Sequence, residues 1–294
     1  MKRIAFAVMA VAIVVSSCGK KKIDLQAHRG GAGLMPENTV SAMKNSIDLG
    51  IKTLEFDLQV SGDGHVVVSH DSYFHSRYAT RPDGTLIMPE DPKEYLYTMP
   101  YDSILKYDVG LRPVSRWPEQ KKVAEVKPLA TNLIDFIEEY SARKGFKPGY
   151  NVEIKSLAGE GEGVLWPDYV EFCDKCVDLL LSKNLGDRLI VQTFDVRSLE
   201  YIHENWPNVI LSYLTDSDET DIETILGQIS FKPEWWSPNY EVVTPENVAY
   251  CHKRGIKVVP WTVDDPAEIA RMVSCNVDAI ISNYPDRLLA VVKQ

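Results

Sequence analysis

The feature that most constrains this chain is a steady alternation of short apolar strands with helix-patterned segments, running from residue 23 to residue 282. Runs at Ile23–Ala27, Thr53–Val60, Tyr150–Lys155, Arg188–Thr193, Val209–Tyr213, Trp235–Ser237, Gly255–Pro260 and Val277–Ser282 read as strands. Apolar residues at helical spacing between them predict helices after Asn38, at Asn132–Arg143, Asp168–Ser182, Val196–Asn205, Thr220–Gln228, Thr244–Arg254 and Pro266–Val273. Asn38 stands where an N-cap would, and Gly50 where that first helix would close. Eight such units are the arithmetic of an α/β fold of the TIM-type (β/α)8 barrel, which commonly runs past ~200 residues as one domain.

One stretch does not fit the count. Residues 72–128 carry no strand–helix pattern, but hold Tyr73, Phe74, Tyr78, Tyr95, Tyr97, Tyr101, Tyr107 and Trp117 among several prolines. They are expected to form a small insertion after the second strand region, most of its aromatics making a core of their own. The remaining aromatics would cap the barrel mouth.

The polar residues on the strands are the unusual part. In Thr53–Val60, Leu54, Phe56 and Leu58 share one face, and Glu55, Asp57 and Gln59 the other. Two carboxylates on one face repel unless a cation lies between them. Asn151–Lys155 puts Glu153 and Lys155 on one face of the third strand. His28-Arg29 follows the first strand, and a hairpin through Ser61-Gly62-Asp63-Gly64 leads to His70-Asp71. Barrel sites form at the C-terminal strand ends, so these groups are expected to converge at one mouth. A donor set of oxygens alone suits Mg²⁺ or Ca²⁺ and disfavours zinc.

His-Arg-Gly at 28–30, Pro-Glu-Asn-Thr at 36–39, Glu-x-Asp at 55–57, the Asp-Gly turn and His-Asp at 70–71, in this order, resemble the glycerophosphodiester phosphodiesterase family. The resemblance covers nearly the whole chain apart from the insertion and the N-terminal segment. It implies hydrolysis of a small-molecule glycerophosphodiester to glycerol 3-phosphate and an alcohol. His28 and His70 would be the acid–base pair, and Glu55, Asp57 and Glu153 the ligands of one divalent cation. Arg29 and Lys155 would bind the phosphate, with Gln192, Phe194 and Trp261 at the substrate. Departures stand at Gly50-Ile51-Lys52, Ser61-Gly62 and Ser282-Asn283, none on a proposed metal ligand, so they are expected to bear on substrate preference. Two other readings are a phospholipase D-type activity on lysolipids or sphingolipids, and a glycerophosphodiester-binding protein without catalysis.

The N-terminus carries its own signal. Met1-Lys2-Arg3 precedes an apolar run from Ile4 to Val15, too short for a lasting membrane span, which takes ~20 residues, and suited to export. Val15-Ser16-Ser17-Cys18 resembles a lipoprotein cleavage box. Residues 1–17 are then a signal peptide, 18–22 a tether lipidated at Cys18, and 23–294 the enzyme, held at a membrane of a bacterial cell envelope. Loss of Lys2 and Arg3 takes the net charge from −10 to −12 (30 basic minus 42 acidic residues). That balance argues against nucleic acid as a partner and requires local cations for an anionic substrate. Cys173, Cys176, Cys251 and Cys275 have no zinc-site companions in the sequence and read as structural thiols, their disulfide status open.

Overall fold

A computed structural model describes residues 22–292 of the chain, so the expected signal peptide and Cys18 lie outside the described residues. The chain runs β1 (Asp24–Ala27), α1 (Val40–Leu49), β2 (Thr53–Val60), β3 (Val66–Val68), α2 (Tyr101–Ile104), α3 (Ala130–Arg143) and β4 (Gly149–Ile154). It continues through α4 (Tyr169–Ser182), β5 (Leu189–Thr193), α5 (Val196–Asn205), β6 (Ile210–Thr215), α6 (Ile222–Leu226) and β7 (Trp235–Pro238). The last elements are α7 (Pro245–Lys253), β8 (Lys257–Val258), α8 (Pro266–Ser274), β9 (Ala279–Ser282) and α9 (Pro285–Val292).

Eight strands pair in parallel in the order β8-β7-β6-β5-β4-β2-β1-β9, and β3 lies antiparallel on β2 outside that path. The seam between β8 and β9 is closed by single bonds. Asp278 N–H donates to Val258 O at 2.9 Å, and Ile281 N–H to Pro260 O at 3.0 Å. The result is a nearly closed (β/α)8 barrel with its helices outside.

The period-two pattern of β2 separates two environments, both buried. Leu54, Phe56 and Leu58 share a core with Leu133, Ile134 and Ile137 of α3 and Phe172 of α4. The other parity enters the barrel interior. There Trp235, Val259, Ala279 and Ile281 pack with Ile190 and Ile210, while Gln26, Asn151, Gln192 and Ser212 are buried beside the acidic residues of β2 and β4.

Local chemistry adjusts several expected boundaries. Asn38 is not the N-cap of α1; it sits at φ +59°, and Thr39 accepts the Ala42 N–H instead. The strand expected at Gly255–Pro260 shrinks to two residues. Gly255 is left-handed at φ +71°, and Ile256 N–H turns back to Cys251 O at 3.0 Å, so both residues terminate α7. The helix expected at Thr220–Gln228 is trimmed to α6, capped by Asp221 on Thr224 N–H.

Residues 72–128 gather Phe74, Tyr78, Leu96, Tyr101, Ile104 and Trp117 into a second core, which meets the barrel through Ala32, Val67 and Tyr284. Phe74 and Tyr107 stack with ring centres 3.8 Å apart. Tyr97 packs on the main core instead. The four described cysteines are buried and free, three of them on the inward faces of α4 and α7.

Candidate active site

Register brings the acids together. In the β2–β4 ladder Asp57 is paired with Glu153, and in the β4–β5 ladder Glu153 is paired with Gln192. Paired residues of neighbouring strands point to the same side, so these three side chains enter the barrel at one level. Glu55 enters one step below Asp57. One oxygen from each of Glu55, Asp57 and Glu153 lies within 4.8 Å of the others, and all three residues are buried.

Each acid has distinct partners. Glu55 accepts the Arg29 N–H at 2.7 Å and Gln192 Nε2 at 3.2 Å. Asp57 Oδ2 accepts Asn38 Nδ2 at 2.8 Å and faces Arg29 Nε at 3.6 Å. Asp57 Oδ1 is buried with no hydrogen-bond partner. Glu153 pairs with Lys155 Nζ at 2.8 Å.

Three buried carboxylates this close repel by roughly 3 kcal/mol per pair at an effective dielectric near 20. Burial, reinforced by Asp57 and Glu153, holds the Glu55 carboxyl well above the usual carboxylate range. Burial also raises Glu153, against the pull of Lys155. Asp57 is lowered, because His70, Arg29 and Lys155 together outweigh its burial. An orphaned buried oxygen, an all-oxygen donor set and mutual repulsion fit a hard divalent cation.

The two histidines reach the cavity from the ends of different strands, His28 after β1 and His70 after β3. The turn that carries His28 depends on Gly30, at φ +76°; a Cβ there would lie 2.8 Å from the Ala42 Cβ. His28 Nε2 is 4.0 Å from Glu55 Oε2. Its Nδ1 meets Asn283 Oδ1 at 2.7 Å. Asn283 Nδ2 donates to Asp264 Oδ2 at 2.8 Å. Because that carboxylate only accepts, the amide oxygen must face His28, Nδ1 must carry the proton, and Nε2 keeps its lone pair toward the acids. Burial first, and Arg29 second, push the His28 imidazole well below its usual pKa.

His70 is set by residues of the second core. Its Nδ1 faces Asp71 Oδ1 at 3.1 Å, and its Nε2 lies 3.1 Å from Lys155 Nζ. Tyr78 OH donates to Asp71 Oδ2 at 3.1 Å. Behind it, buried Lys127 donates to Ser69 Oγ at 2.7 Å and Tyr78 OH at 3.3 Å. Burial pulls the Lys127 ammonium down to about 8 despite Asp71 and Glu37.

A cavity of about 260 Å³ opens above the cluster. His28, Arg29, Glu55, His70, Glu153, Lys155, Gln192, Phe194 and Trp261 all line it, while Asp57 lies fully buried. Phe194 and Trp261 meet edge to face with centroids 5.3 Å apart. Gln192 is only 2 % exposed and is engaged with Glu55. Arg116 and Trp117, from residues 72–128, form part of the wall.

Sequence reading missed several contributors. Asn38 carried a signal within Pro-Glu-Asn-Thr but was assigned to capping; its left-handed backbone turns its amide onto Asp57. Asn283, noted in the sequence only as a departure from the family pattern, lies against His28. Glu37, in the same Pro-Glu-Asn-Thr stretch, pairs with Arg29 Nη1 at 3.0 Å, and Tyr78 bonds Asp71 seven residues away; neither was assigned a role, and Lys127 has no local signal, since its partners Ser69 and Tyr78 lie far off in sequence.

The fold and the site together define a class: a barrel hydrolase whose mouth joins three buried carboxylates, an arginine, a lysine and two histidines. Residues 28–287 match the model of the glycerophosphoryl diester phosphodiesterase family, and the chain belongs to that family. A glycerophosphodiester phosphodiesterase of Caldanaerobacter subterraneus subsp. tengcongensis is 28 % identical over 270 residues, 91 % of this chain and 97 % of the relative. A solved candidate glycerophosphoryl diester phosphodiesterase of Silicibacter pomeroyi superposes with TM-score 0.82 at 25 % identity, over 93 % of this chain and 94 % of that one. A phosphodiesterase of Oleispira antarctica, solved with its product sn-glycerol-3-phosphate, shares the fold at TM-score 0.72 and 22 % identity, over 92 % and 97 %. Glycerophosphodiester phosphodiesterase activity is thus the enzymatic function of this chain.

Proposed function

We propose that this enzyme hydrolyses glycerophosphodiesters to glycerol 3-phosphate and an alcohol, using one divalent cation and the His28/His70 pair. The observation that carries the reading is a cluster of three buried carboxylates, two of them lining one cavity together with two imidazoles. Glu55, Asp57 and Glu153 would hold the ion, which when bound supplies Lewis-acid polarisation of a phosphoryl oxygen and offsets charge. Arg29 suits a forked grip on the phosphate, and Lys155 adds a point charge. His28, its Nε2 lone pair fixed by Asn283, accepts the proton of an attacking water. The bond from phosphorus to the head-group oxygen breaks, the electron pair stays on that oxygen, and His70 protonates it. Asp71 holds the His70 ring through Nδ1 during that transfer.

The test is release of glycerol 3-phosphate from a panel of head groups and from a lysophospholipid, with chelator and with Mg²⁺ or Ca²⁺ restored. Turnover should vanish with chelator and return with the ion. In His70→Ala it should fall about 10²–10⁴-fold with cation binding retained. A chain that binds the diesters and turns over none of them with any divalent ion is a binding protein, and the reading fails.

We also propose that Cys18 is lipidated and holds the enzyme at a bacterial envelope membrane. β1 begins at Asp24, six residues on, and the site forms at the opposite end of the strands. A tether of this length, at most ~20 Å when extended, keeps the mouth turned away from the bilayer. That arrangement favours water-soluble diesters over lysolipids embedded in the membrane.

A further inference from the structure

A phosphodiester has two arms, and the cavity described above accounts for only one. A second lobe, about 410 Å³, opens beside it. The two share His70, Glu153, Lys155 and Phe194, whereas His28 and Trp261 belong to the first alone. A phosphorus atom at the shared groups directs one arm along Trp261 and the other past His70 into the second lobe.

We propose that the second lobe is the leaving-alcohol subsite and that Trp166 and Asp216 there receive a quaternary ammonium head group of the choline type. The inference rests on the phosphodiesterase reading above and assigns the head group that reading left open. The wall is built rather than incidental. Trp166 Nε1 donates to Leu157 O at 2.7 Å, so its one donor is spent. A Cβ on Gly161 would lie 2.2 Å from the Trp166 ring, so the glycine backbone packs directly on it. The ring is thereby fixed where it lines the lobe. Leu157, 59 % exposed, and Phe194, 38 % exposed, extend the apolar wall.

Charge narrows the occupant further. Within the lobe, Asp71 is engaged by His70 and Tyr78, and Glu153 by Lys155. Asp216 is different: it stands exposed on the rim, its Oδ1 held by the Ser217 N–H at 2.8 Å and Asn239 Nδ2 at 3.2 Å. Lysines already stand over two other rings, Lys93 at 4.4 Å from Tyr73 and Lys155 at 5.7 Å from Phe194. Among the described residues no cation is recorded over Trp166. Polyol head groups need hydrogen-bond partners, and among the polar side chains of the lobe Gln59 Nε2 is already bonded to His70 O at 3.2 Å and Ser156 Oγ to Ser198 Oγ at 2.7 Å; a primary ammonium needs acceptors for three N–H groups. A trimethylammonium needs neither; it is held by a π face and a nearby carboxylate.

The experiment compares kcat/KM for glycerophosphocholine and glycerophosphoglycerol in the wild type, Trp166→Leu, Trp166→Phe and Asp216→Asn. The wild type should prefer the choline ester. Trp166→Leu and Asp216→Asn should each lower the choline-to-glycerol ratio, by about 5- to 30-fold for the tryptophan, mainly through KM. Trp166→Phe should restore part of the preference, and tetramethylammonium should compete with glycerophosphocholine in the wild type. Turnover of both esters with no preference, or a ratio that the variants leave unmoved, overturns the subsite while the phosphodiesterase reading stands. No turnover of either ester with Mg²⁺ or Ca²⁺ overturns both.

Discussion

At the scale of single residues, this site stores electrostatic conflict that the proposed cation would relieve. Asp57 Oδ1 is buried without a partner, and Glu55 is pushed toward its neutral form by burial and its neighbours. A divalent ion at 100 times its Kd stabilises the native state by about 2.7 kcal/mol. For a domain of this size that raises Tm by about 5–10 °C. Asp57→Asn should abolish the shift in a thermal melt titrated with Ca²⁺ or Mg²⁺. Lys127 gives a separate pH signature. Its folded pKa, about 8, lies below the usual 10.5, so below pH 8 both states are protonated and the penalty for burying the charge is constant. As pH rises from 8 to 10.5 the folded state releases its proton first, and stability increases by about 3 kcal/mol. Urea unfolding across that interval should show the rise in the wild type and a flatter profile in Lys127→Met.

At the scale of elements, the ladders and turns do the positioning. The pairings Asp57 with Glu153 and Glu153 with Gln192 follow from parallel registers, and a slip of one residue would turn each acid into the helix layer. The turn after β1 is equally demanding. Gly30→Ala combines a left-handed backbone with a Cβ 2.8 Å from that of Ala42, and should cost about 2–4 kcal/mol in urea unfolding. Because Arg29 N–H is held against Glu55 by the same turn, kcat/KM should fall as well. The motif stretches were legible as elements: alternation in Thr53–Val60 marked the strand and its acidic face. Boundaries failed where one hydrogen bond decided them, as when Ile256 N–H returned to Cys251 O and ended α7.

At the scale of the molecule, residues 72–128 are more than a cover. Their second core delivers Tyr78 and Lys127 to the rear of His70, and Arg116 and Trp117 to the cavity wall. The tether proposed at Cys18 leaves from the opposite end of the barrel. Cys18→Ser should therefore move the enzyme from the membrane fraction to the soluble fraction, with kcat/KM for a water-soluble diester within about twofold of wild type. A large loss for the soluble form would mean that the mouth works at the bilayer surface.

By itself the sequence determined the eight strand–helix units and the acidic face of β2, and it singled out His28, His70 and the three acids that the fold brings together. Those properties are local: period, turn chemistry and motif order are written within a few residues of one another. Tertiary structure alone decided that Asn38 serves Asp57 rather than a helix cap, that Asn283 fixes the His28 tautomer across 255 residues, and that Trp166 walls a second lobe. Each of these depends on where distant segments pack, and a side chain's partner across a barrel leaves no trace in its neighbours along the chain.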